Sequence, residues 1–144
     1  MGSGQVEATI LLCDAAEAIN GKLYILGGGW SVTGPRPAPS ALAIKLDVPW
    51  TEANRKIPVL IELLDADGQP FVVEDPLGSP QPLKVGMEIE VGRPPGLAPG
   101  TPLDATMAFG VPALPLTPGQ RYAWRLTVDG ESKAHWRAAF TTRL

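Results

Sequence analysis

The segment Leu116-Thr-Pro-Gly-Gln-Arg-Tyr122, running into Ala-Trp-Arg-Leu-Thr-Val-Asp129-Gly130, constrains the fold more than any other part of the chain. Pro118-Gly119 reads as a corner, and Tyr122 stands where a tyrosine corner places its ring, with the hydroxyl hydrogen-bonded to backbone a few residues upstream. After the corner the side chains alternate. Tyr122, Trp124, Leu126 and Val128 share one face, while Ala123, Arg125, Thr127 and Asp129 share the other. Asp129-Gly130 is a favoured two-residue hairpin turn. The chain then returns with Ala134, Trp136, Ala138 and Phe140 inward. This is the pattern of an immunoglobulin-like antiparallel β-sandwich with two indoles in its core.

The rest of the chain agrees. Sixteen Gly and sixteen Pro exceed a fifth of the 144 residues. They fall in clusters between apolar segments, which fits short strands joined by rigid turns and not a collagen-like or disordered chain. Strands are expected at 6–13, 22–27, 42–48, 57–65, 71–73, 85–91 and 104–111, besides the C-terminal hairpin. The total is about eight or nine, with turns near every tenth residue. Residues 14–21 read as a connection with one helical turn at most. Pro35, Pro37 and Pro39 hold an extended linker. Residues 49–55 suit one helical turn capped by Thr51, and a Pro-rich crossover follows Val73. Val85, Met87, Ile89 and Val91 are expected to face the core. Met1-Gly-Ser-Gly4 reads as a cloning scar or disordered tail, which leaves open a native signal sequence removed before Gln5. Residues 5–144 read as one domain.

Charge and cysteine usage narrow the function classes. A net charge of −3 with scattered basic residues gives no electrostatic footprint for nucleic acid or an anionic membrane. No stretch reaches the ~18 apolar residues of a membrane span. One cysteine, Cys13, rules out an internal disulfide and suits a reducing, cytoplasmic setting.

Catalytic signatures are weak throughout, so the chain reads as a non-enzyme without metal or cofactor. His135 is the single histidine and falls on an outward strand position. Cys13 closes an apolar strand, where a thiol is buried and inert. Gly27-Gly28-Gly29 lacks the Lys-Ser/Thr and the helix of a phosphate loop and reads as a strand exit. Asp65-Ala-Asp67-Gly68 lacks the twelfth-position glutamate of a calcium loop and reads as a hairpin turn. Glu88 and Glu90 read as solvated charges on a sheet face. An active site would need Asp14, Arg93 and Glu88 or Glu90 to converge.

Apolar residues on faces that should be wet carry the functional reading. Tyr24, Leu26, Leu60 and Leu64 lie opposite the core-facing positions, either under loops such as 92–100 or against another chain. With Arg93 and Leu97 they make the candidate contact surface of a protein-binding, self-associating module. The alternative is a small-ligand or carbohydrate site built from Trp30, Trp50 and Arg93, with indoles stacking on a sugar.

Leu11-Leu-Cys-Asp-Ala-Ala16, Asn20-Gly-Lys-Leu-Tyr-Ile-Leu-Gly-Gly-Gly-Trp30, Val48-Pro-Trp-Thr-Glu-Ala-Asn-Arg55, Val91-Gly-Arg-Pro-Pro-Gly-Leu97 and the C-terminal hairpin span nearly the whole chain. In these segments it resembles a family of small uncharacterised bacterial proteins common in high-GC actinobacteria. The resemblance implies a bacterial, cytoplasmic protein and transfers no catalytic residue.

Overall fold

A computed structural model describes residues 6–144. The expectations for Met1-Gly-Ser-Gly4 and for Gln5 lie outside the described residues. In chain order the strands are β1 (Glu7–Cys13), β2 (Ala15–Ile19), β3 (Lys22–Leu26), β4 (Val32–Thr33), β5 (Ser40–Val48) and β6 (Lys56–Leu64). They continue as β7 (Val72–Glu74), β8 (Pro80–Pro82), β9 (Lys84–Glu90), β10 (Leu103–Val111), β11 (Arg121–Val128) and β12 (Arg137–Thr142). One 3-10 turn, Trp50–Glu52, is the helical element among the described residues.

Two sheets form a β-sandwich. The smaller has the order β1-β5-β10, the larger β4-β12-β11-β6-β9, and two hairpins, β2-β3 and β7-β8, stand apart. All pairings are antiparallel except that of β12 with β4. Period-two alternation sets the core. Ile10, Ile44 and Met107 lie abreast in the smaller sheet. Ala138, Trp124 and Leu63 do so in the larger, and the two rows pack together in one apolar cluster. Trp124 and Trp136 are both buried between the layers.

The corner forms as its sequence predicts. Thr117 N–H donates to the Tyr122 hydroxyl at 2.9 Å. The ring stacks on Phe140 at 5.6 Å and meets the edge of Phe71 at 5.9 Å. Buried Thr142 completes the corner: its hydroxyl donates to Thr117 O at 2.7 Å and accepts from Gln120 N–H at 3.0 Å.

Several sequence expectations need correction. Residues 15–19 are a strand, because the Asn20-Gly21 turn pairs them with β3 and Ala16 packs against the smaller sheet. The 3-10 turn is preceded by Pro49 with no side-chain cap, so Thr51 is not the capping residue. The Pro-rich stretch after Val73 forms the β7-β8 hairpin, whose loop Asp75 closes by accepting from Leu77 and Ser79 N–H. Asp65 makes the same turn with Asp67 and Gln69 N–H, the hairpin reading of that motif. After Asp129-Gly130 the return strand begins at Arg137, not Ala134. Val85 and Met87 are 43% and 38% exposed, because β9 sits at the edge of a five-stranded layer opposed by only three strands.

Candidate interaction surface

The β2-β3 hairpin grows out of β1 and folds over the outer face of the smaller sheet. Asn20 and Gly21 both have positive φ, 52° and 75°, the backbone of a tight two-residue turn that Asn-Gly favours. Its base is held by Asp14 N–H, which donates to Leu26 O at 3.0 Å, and by Gly29 N–H, which donates to Leu12 O at 2.7 Å. Gly27 has φ of 60°, a backbone that other residues rarely adopt, and a Cβ there would have to displace the Asp14 carboxylate, so glycine is favoured at this exit. Ala16 and Leu23 face inward onto Leu11, Cys13, Ala41 and Ala43.

The outward face of this hairpin is largely apolar and wet, with Glu17 and Lys22 as its two charges. Register places Leu26 beside Ala15, Tyr24 beside Glu17 and Lys22 beside Ile19. Leu26 is 71% exposed, Tyr24 56% and Ile19 45%. A shallow depression of about 330 Å³ lies along Ala15, Glu17, Tyr24 and Leu26. The loop over residues 92–100 is exposed along its length and does not cover them.

The remaining candidates do not join this patch. Leu64 is 1% exposed, at the end of β6 where the chain turns back to a bridge with Pro70, so it is interior and not a contact residue. Leu60 is half-buried on the outer face of the larger sheet, beside Thr127 and Gly86, on the side of the sandwich away from the hairpin. Leu97 is exposed on the loop after β9.

Trp30, Trp50 and Arg93 do not form one site. Arg93 donates through Nη2 to Trp50 O at 2.8 Å, with its guanidinium 4.7 Å above the Trp50 ring. Trp30 instead shares a small cavity with Ser40 and Val111 and meets Phe140 edge-on at 6.0 Å. Those positions mark opposite ends of β5, roughly 25 Å apart for nine extended residues. Asp14 lies at the Ser40 end, whereas Glu90 and Arg93 line an open cleft with Asp104 at the other. The polar convergence that an active site of these residues needs is therefore not assembled.

The reactive groups are quiet in their surroundings. Cys13 is buried, burial pushes its thiol above the usual range with Asp14 adding to the effect, and Sγ bonds Ala41 O at 3.4 Å. His135 is exposed and stands 3.6 Å from Glu7. The hydrogen bond from Lys133 to Glu7, 3.2 Å long, holds that carboxyl below its ordinary range. Among the described residues no three His, Cys, Asp or Glu side chains cluster as metal ligands. No helix among them is long and apolar enough to cross a membrane.

Comparison with protein families matches residues 8–139 to a family of unknown function, DUF6941. A search of curated proteins gives no match.

Proposed function

The chain belongs to this family of unknown function, and from that premise we propose that it is a non-catalytic interaction and assembly module that associates with copies of itself. The observation that carries the reading is the outward face of the β2-β3 hairpin, where Leu26, Tyr24 and Ile19 stand in water on a two-stranded ribbon. Fully burying one such side chain stabilises by roughly 1.5–3 kcal/mol, so a face of three favours a protein partner over solvent. The inert setting of Cys13 and the separation of Asp14 from Arg93 and Glu90 support a role without chemistry. A buried free thiol supports a reducing, cytoplasmic setting, and the sequence resemblance supports a bacterial source.

Sedimentation velocity over a range of concentrations tests the reading. The native chain runs heavier than one protomer, and Tyr24→Lys/Leu26→Lys shifts it toward lower mass while far-ultraviolet circular dichroism stays unchanged. A single-protomer mass for the native chain at every concentration overturns the proposal.

A further inference from the structure

A second surface, separate from the hairpin, is built from backbone. Strand β9 is the longer of the two edges of the larger sheet, and among the described residues β6 is its one strand partner. Six of its seven residues are exposed, and it carries neither proline nor an inward-pointing charge. Natural proteins guard an edge of this kind or use it for pairing.

Which groups face outward follows from register. Leu63 N–H donates to Leu83 O at 3.0 Å, and the same register continues through Glu62↔Lys84 and Ile61↔Val85. Antiparallel ladders alternate, so Val85, Met87 and Ile89 commit their backbone groups to β6. Lys84, Gly86, Glu88 and Glu90 turn theirs to the open side.

We propose that two copies of the chain pair through β9, antiparallel about a two-fold axis at Met87, joining their larger sheets into one. This register sets Lys84 opposite Glu90 of the second copy, Gly86 opposite Glu88, Val85 opposite Ile89, and Met87 opposite itself. Outward-turned residues then meet outward-turned residues along the whole strand. The contact is isologous, so each pair occurs twice except the Met87 pair on the axis. Charge selects the register. Arg125 bonds Glu62 at 2.8 Å, and Glu62 lies across from Lys84. Glu90 of the second copy comes next, followed by that copy's Lys56, so signs alternate along the row. Centring the pair on Glu88 sets that carboxylate against its own copy. Centring it on Gly86 sets Glu90 against Pro82, which has no N–H to donate.

The pairing goes beyond the hairpin contact and is tested without it, in the Tyr24→Lys/Leu26→Lys background. Met87 and its copy form a non-hydrogen-bonded pair with Cα atoms about 4.5 Å apart, within disulfide reach. Oxidation of a Met87→Cys chain is expected to give a covalent dimer on a non-reducing gel. A Gly86→Cys chain stays single, since that residue meets its own copy only on the diagonal at roughly 7–8 Å. By sedimentation, Lys84→Glu and Glu90→Lys each weaken dimerisation about tenfold, and an equimolar mixture of the two recovers it because every facing pair is again of opposite sign. Absence of the Met87 cross-link, a Gly86 cross-link in its place, or a mixture no tighter than either variant overturns the proposal. Each of these outcomes leaves the hairpin reading to its own comparison of native and double-lysine chains.

Discussion

The phenol of Tyr122 works at both ends of its side chain. Its ring packs between Phe71 and Phe140, while its oxygen takes the Thr117 N–H that the corner would otherwise leave without an acceptor. Tyr122→Phe keeps the packing and removes the acceptor of a part-buried hydrogen bond, which costs about 0.5–1.5 kcal/mol. Urea unfolding should show a lower midpoint with an unchanged slope. This residue was legible in the sequence because its spacing from Pro118-Gly119 and its place in an alternating strand both pointed the same way. Leu64 was not. Alternation put it on the outward face, and only the turn over residues 65–70 and its bridge to Pro70 made that position interior.

At the scale of elements, turn chemistry was easier to read than strand identity. Asn20-Gly21, Asp65-Ala-Asp67-Gly68 and Asp129-Gly130 all turn the chain as their sequences imply. Residues 15–19 hid as a strand because Ala-Ala-Glu-Ala-Ile has no alternation, and its pairing with β3 supplies what propensity does not. Pro80 and Pro82 concealed β8 for a related reason, since proline is tolerated in so short a hairpin set apart from both main sheets. The hairpin also permits a local test. Gly21 has open space around it, so Gly21→Ala is opposed by its positive φ alone, at a cost of about 1 kcal/mol. Hydrogen exchange should quicken about fivefold in 15–26 and stay constant in β11 and β12, because the hairpin is a sheet of its own.

The whole molecule is two layers of unequal width, and that inequality explains what the sequence could not show about β9. Val85 and Met87 alternate as a core strand does, yet the third strand of the smaller sheet ends the opposing layer before it reaches them. Layer width is set by pairing across the molecule and leaves no local signal. A long-range contact likewise gives the molecule a defined response to pH. Glu7 on β1 meets Lys133 in the loop before β12, and its carboxyl is held below its ordinary value of 4.5 chiefly by the Lys133 hydrogen bond. A carboxyl depressed in the folded state contributes stability above its unfolded value, and that contribution is lost as pH falls through the folded one. The urea midpoint of the native chain should therefore exceed that of Glu7→Gln at neutral pH. The gap should close in acid below 4.5 and shrink with added salt.

The parallel ladder of β4 with β12 joins Val32 to Thr141 and Thr33 to Thr142. Emerging from a ribosome, the segment at 32–33 waits for more than a hundred further residues before its strand partner among the described residues is synthesised, so the larger layer closes late. Until then the apolar inner side of β11 lacks one flank, and a nascent chain stalled before residue 137 should engage holding chaperones that the released protein ignores.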